Sequence, residues 1–191
     1  MSVSFSTIIE AALPVFILLG LGFVLRKVKI LTGESDTSLM KLVIRIFYPC
    51  LYFDYVIVNP SLESAQNLVS APIVGFATVT GGFLLAFLAG RLLGLKKGKG
   101  LRTFAFSSGI YNYGFIPIPV MLALFDDRGT MGVLLVHNVG IELAIWTAGI
   151  MLLAGGIRGS ALRNIFNPPV IALAIALLVN ATGLDSMVPG W

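Results

Sequence analysis

Ser107-Ser108-Gly109-Ile110-Tyr111-Asn112-Tyr113-Gly114-Phe115-Ile116-Pro117-Ile118-Pro119 interrupts an otherwise apolar run with two glycines, an asparagine and two prolines. Proline lacks an amide hydrogen, and its ring collides with the carbonyl four residues earlier. Pro117 and Pro119 therefore deprive the backbone at Tyr113 and Phe115 of helical partners. A kink that only shapes packing is the blander reading, because lost bonds in an apolar helix can be re-satisfied locally. The density of breakers here exceeds what a kink needs, and the stretch predicts a broken helix.

The sequence around it is apolar on a scale that soluble domains do not reach. Hydrophobic residues make up 57% and charged residues 12% of the chain, and the mean hydropathy is +0.96. About one quarter charged is usual for a soluble domain. A helix needs roughly 20 mainly apolar residues to cross roughly 30 Å of hydrocarbon. Windows of that kind run over 6–25, 39–58, 72–93, 103–125, 129–155 and 168–182. The fold expected is all-α, a polytopic membrane protein of about six transmembrane helices whose fourth is broken.

The first window is no signal peptide, since Arg26, Lys27 and Lys29 follow the apolar run and no Lys or Arg precedes it. Arg91, Lys96, Lys97, Lys99 and Arg102 lie between the third and fourth windows, and Arg158 and Arg163 between the fifth and sixth. With Lys41 and Arg45 counted at the start of the second window, 12 of the 13 Lys and Arg fall on one side; Arg128 is the exception. The positive-inside rule makes that side cytoplasmic and puts the N-terminus outside. Short basic loops between spans report topology, so no nucleic-acid partner is expected. Cys50 is the single cysteine, which excludes an intrachain disulfide and a cysteine-rich metal site.

Leu13-Pro14-Val15-Phe16 can be laid over Pro168-Pro169-Val170-Ile171, and the offset from Pro14 to Pro169 is 155 residues. Five spans lie between the two openings. An odd number makes the second copy enter in the opposite sense, the inverted-topology repeat of secondary transporters. Such a protein would hold about ten spans, so the expectation is that this chain is a fragment of a longer one. A homodimer completes the repeat only if two copies insert in opposite orientations, which the charge bias opposes.

Polar groups at membrane depth are functional candidates by default. The break supplies Tyr111, Asn112, Tyr113, Gly114, Pro117 and Pro119. The fifth window supplies His137, Asn138 and Glu142, of which Asn138 and Glu142 share a face at i, i+4, with Trp146 one turn further. Glu142 can serve substrate or proton movement, or simply anchor the broken helix; both readings stand. No metal site and no cofactor are expected. Gly75, Thr78, Gly82, Ala86 and Gly90 form a small-residue stripe suited to close helix packing. Pro49 is expected to bend the second span, and Glu10 and Asp54 lie near span ends with no role assigned.

Taken together, Leu13-Pro14, Gly20-Leu21-Gly22, Lys27 to Leu31, Tyr48-Pro49, Asn112 to Pro119, Asp126-Asp127-Arg128-Gly129 and Asn167-Pro168-Pro169 carry a resemblance over the whole chain. The chain resembles the N-terminal part of a bacterial-type member of the auxin efflux carrier family, the PIN-like membrane transporters that include organic-acid carriers. The family's fourth-span motif has an Asn followed seven residues later by a Pro preceded by Gly-Ile or Gly-Leu. Asn112 and Pro119 match, while Pro117 and Ile118 stand at the Gly-Ile positions. The resemblance implies two inverted halves of five helices. It implies scaffold helices over 1–60, transport-domain helices over 70–156, and a cytoplasmic loop with the helix that opens the second repeat over 157–191. It also implies an elevator-type carrier of small organic anions such as carboxylates in the plasma (inner) membrane, with Asn112 in the substrate site.

The windows place no Lys or Arg at the midplane, so half-helix N-termini and Asn or Tyr donors would have to hold the anion. The partners expected are the lipid bilayer and a small organic anion; proton coupling and a homodimer stay open. The competing classes are an oligomeric channel and a membrane-embedded enzyme. A channel needs a symmetric pore-lining face, and an enzyme needs a nucleophile with its base, which Ser107, Ser108 and His137 do not supply.

Overall fold

The computed structural model describes residues 5–57, 59–125, 127–156, 167–182 and 184. Arg158 and Arg163, Asp126, and the closing turn 187–191 lie outside the described residues. Everything regular among the described residues is helical.

Helix α1 (Phe5–Lys27) is apolar around its whole circumference and ends on Arg26 and Lys27, cations that suit the negative end of the helix dipole. A turn through Lys29, at φ +62, reverses the chain. The Arg26 guanidinium then holds Asp36 at 2.7 Å. Thr32 caps α2 (Gly33–Leu42) by accepting the Ser35 amide. α2 runs without a turn into a π-helical segment, Val43–Phe47, and then α3 (Tyr48–Val56). The helix that carries the second window thus begins at Gly33, before the window itself. The wide π turn takes up the irregularity expected at Pro49.

α4 (Ala65–Leu92) is the longest helix, and it carries Pro72 inside rather than at its start. It packs along α5 (Leu101–Gly109) and α7 (Arg128–Ala144). The small-residue stripe explains the approach. A Cβ on Gly75 would overlap the His137 carbonyl, one on Gly140 the Pro72 carbonyl, and one on Gly82 the Gly109 carbonyl. α6 (Pro117–Leu124) follows the break, and α1 lies against it. α7 continues through a second π segment, Ile145–Gly149, into α8 (Ile150–Ala154). α9 (Pro168–Thr182) lies along α3.

Three helical stretches are long and apolar enough to cross a membrane: Ile8–Lys27, Ala65–Leu92 and Arg128–Ala154. The other three windows form interrupted or shorter helices, because the second starts in a polar turn, the fourth breaks, and α9 has 15 residues.

On the side where α3, α7 and α9 meet, Asn59 is 2% exposed. Its Nδ2 donates to the Tyr55 carbonyl at 2.7 Å and the Arg128 carbonyl at 3.0 Å; its amide donates to Asn180 Oδ1 at 3.2 Å. Arg128, the lone cation of its side, pairs with Asp54 at 2.9 Å and lies over the Tyr55 ring. Asp54, assigned no role from sequence, therefore neutralises the exception to the charge bias.

Candidate functional site

The break is built as the prolines require. α5 stops at Gly109, whose α-carbon sits so close to Gly82 and Phe83 of α4 that a side chain there would clash with their backbone. Ile110 turns extended, and helical geometry resumes only at Pro117. Pro117 cannot donate to the Tyr113 carbonyl, and Asn138 Nδ2 of α7 takes its place at 3.0 Å. On the other side of the break, Asn112 Oδ1 accepts the amides of Gly114 and Ile116, each at 3.3 Å. Thr78 already donates to the Gly75 carbonyl, so in its 3.1 Å contact with Tyr111 the phenol is the donor. Gly114 is buried, and a Cβ there would stand 2.9 Å from the Tyr48 hydroxyl.

Beside the break lies a cavity of about 300 Å³ lined by Tyr48, Tyr113, Phe115, Glu142, Trp146 and Asn167, among others. Its charge is the Glu142 carboxylate. Oε2 accepts from Asn167 Nδ2 at 2.6 Å, with the Trp146 indole as a second donor. Both π segments border this cavity, through Ile44 and Ile145. Such segments recur at functional sites. Tyr48 and Phe115 also face an apolar crevice of about 490 Å³, walled by Val15 and Leu18 of α1 and by Pro119.

The structure brings Tyr113 and Glu142 to the cavity and puts Asn138 behind the break as its backbone partner. Gly114, Pro117 and Pro119 shape the break. Asn112 and Tyr111 are exposed and do not line the cavity. Glu142, read as serving substrate or proton movement or as anchoring the break, accepts a hydrogen bond from Asn167 at the start of α9. Tyr48 and Asn167 were not read as site residues. An Asn directly before Pro168-Pro169 is the signal of a helix cap, and Asn167 Oδ1 does accept the Val170 amide at 3.0 Å.

The half-helix N-termini do not offer the donors expected of them. In α9 the first two residues are prolines and the third amide is taken by Asn167. In α6, Pro117 and Pro119 have no amide hydrogen, and the Ile118 amide bonds the Gly114 carbonyl at 3.0 Å. Arg45 stands about one helical turn before Tyr48.

His137 Nδ1 lies 3.4 Å from Asn138 Oδ1, and no cluster of metal-ligating side chains occurs among the described residues. Outside the spans, Asp127 caps α7. The Thr130 hydroxyl at 2.6 Å, with the amides of Gly129 and Thr130, holds its carboxyl below the usual carboxylate range.

Residues 7–158 match the family described as membrane transport protein. The chain is also similar to an uncharacterized transporter of Methanothermobacter thermautotrophicus, at 29% identity over 187 residues that cover 95% of this chain. The chain spans 60% of that curated relative's length. No solved structure matches it significantly. A family match over most of the chain joins the apolar helices and the broken one: this is a multi-pass membrane chain that belongs to the membrane transport protein family, the transporters of auxin efflux carrier type.

Proposed function

We propose that the chain is the first half of a secondary carrier that moves small organic anions, such as carboxylates, by an elevator-type displacement. In this reading all six windows span the membrane, the N-terminus is outside, and the membrane is the cell's inner one. Residues 70–156 travel against a scaffold over 1–60, and 157–191 open a second, inverted repeat of a longer protein. The 155-residue offset from Pro14 to Pro169 supports the repeat. Tyr111, Asn112, Tyr113, Gly114, Pro117, Pro119, Asn138 and Glu142 form or support the substrate site. Proton coupling runs through Glu142, and a homodimer of parallel copies is compatible with the charge bias.

One observation carries the reading: a broken helix, its backbone bonds completed by Asn112 and Asn138, beside a cavity that holds a carboxylate. Irregular backbone inside a membrane is tolerated where it is buried in protein or lines a cavity, and transporters place their substrate sites at such breaks. The cavity's Tyr48 and Tyr113 hydroxyls and the Asn112 amide nitrogen have no protein acceptor among the described residues, which leaves them free to meet a substrate oxygen.

The test is uptake of a carboxylate panel, succinate and benzoate included, by proteoliposomes of the full-length protein. Asn112→Asp keeps the oxygen that caps Gly114 and Ile116 but removes the donor. It should fold normally and lose at least about 5-fold to 150-fold in substrate affinity, the worth of one desolvated hydrogen bond, with repulsion between the new carboxylate and the anion added to it. Glu142→Gln should alter the pH dependence of uptake. Wild-type uptake by Asn112→Asp would remove Asn112 from the site, and an unaltered pH profile would leave Glu142 an anchor for α9.

A further inference from the structure

Lys41 and Arg45 lie one turn apart on one face of the second span, and the sequence reading absorbs them into the basic side of the membrane. Their place in the fold says more. The helix over 33–56 is about 36 Å long at 1.5 Å per residue, and Arg45 is at its midpoint rather than at its end. Together with Thr37, Met40 and Pro168 they line a chamber of about 570 Å³. Met40 and Ile44 are also walls of the Glu142 cavity, and Pro168 adjoins its Pro169, so the two spaces abut. The chamber's one acid, Asp36, is already held by Arg26 at 2.7 Å. The ion pairs among the described residues are Arg26–Asp36 and Arg128–Asp54, so neither Lys41 nor Arg45 has an acid partner. Two like charges at i, i+4 repel, and an anion held between them relieves that repulsion.

We infer that Lys41 and Arg45 form an oxyanion subsite at the mouth of the Glu142 cavity, on the side of the basic loops, which holds the carboxylate of the substrate before it enters. The inference rests on the organic-anion reading above. It also supplies the cations that the cavity lacks: the pair offsets the Glu142 carboxylate that an incoming anion must approach, and Arg45 can grip a carboxylate with two parallel N–H donors. The same chemistry would take a lipid phosphate, so the test separates the two sources.

The probe is trifluoroacetate, titrated by fluorine NMR against the full-length protein in phosphatidylcholine nanodiscs. Lys41→Gln/Arg45→Gln should weaken binding about tenfold or more, whereas Lys97→Gln, in a loop, should bind nearly as wild type and Arg45→Lys, which keeps the charge but loses the fork, should fall between the two. Equal affinity in the double variant and wild type overturns the subsite. So does a phosphatidylglycerol nanodisc that abolishes trifluoroacetate binding while the double variant ceases to retain that lipid, which would make it a headgroup site. If the double variant does not purify as a single species, Lys41→Gln and Arg45→Gln singly are judged by the same criterion.

Uptake separates this inference from the reading beneath it. No carboxylate uptake by the wild type, with trifluoroacetate binding still dependent on the pair, sinks the carrier and keeps the subsite. Uptake with unchanged KM in Lys41→Gln/Arg45→Gln sinks the subsite and keeps the carrier.

Discussion

Asn138→Leu removes a donor while roughly keeping volume, and the break tells what that costs. Asn138 is 3% exposed, and its Nδ2 is the partner that the Tyr113 carbonyl receives in place of the missing Pro117 amide. A stranded buried acceptor costs about 1–3 kcal/mol, but side-chain bonds between membrane helices average only about 0.6 and reach about 1.7 kcal/mol, because the separated helices find other partners. Here the upper end applies, since no amide of α6 can turn to Tyr113. We expect a loss of about 1.5 kcal/mol. At about 2–4 °C per kcal/mol for a chain of this size, Tm should fall by about 3–6 °C. The loss is local, so the amides of Ile118 and Val120, the first bonded turn of α6, should exchange about tenfold faster. Melting in detergent and hydrogen exchange by mass spectrometry read the two effects. An unchanged Tm with unchanged exchange in that turn would refute the assignment of Asn138 to the break.

Gly140→Ala drives a methyl group into the Pro72 carbonyl and should cost at least the ~1–3 kcal/mol of an overpacked core; Gly81→Ala, which meets nothing within 4 Å, should melt at or above wild type. Asn59→Ala strands the Arg128 carbonyl and the Ser61 amide and should lower stability by about 1–3 kcal/mol, measured by the same melts. Asp127 has a lowered carboxyl pKa, so its cap contributes fully above the unfolded value of 3.8 and is lost as pH falls through the lower folded value. The gap in Tm between wild type and Asp127→Ala should therefore hold steady down to about pH 5 and close in more acid solution; a gap that closes near neutrality would assign it to another group.

The break was legible because its cause is covalent: a proline without an amide hydrogen breaks the ladder whatever surrounds it, and Pro117 and Pro119 do so where expected. The small-residue stripe was legible for a similar reason, since only a missing Cβ admits the carbonyls that Gly75 and Gly82 meet. Partners across the fold were not. Nothing local distinguishes Asn138, which serves the break, from Glu142 one turn on, which turns to Asn167 instead. That choice depends on where α9 begins. Nor does a hydropathy window show the polar turns that precede it: Gly33 to Ser38 are helical here and continuous with the apolar window that follows.

Two amides close the break, and their settings give them different work. Asn138 is buried, water cannot replace it, and its nitrogen is committed to a carbonyl. Asn112 is exposed and commits only its oxygen, to two amides at 3.3 Å. Exchanging its oxygen and nitrogen would set donors against donors, so the orientation of the amide is fixed by the backbone it caps. Its nitrogen is thereby aimed without a protein acceptor among the described residues, and a donor already held in place loses little entropy when it binds. The cap that stabilises the break is thus also what would prepare Asn112 to meet a substrate oxygen, which is why Asn112→Asp, sparing the cap and deleting the donor, separates the two roles where Asn112→Ala would abolish both.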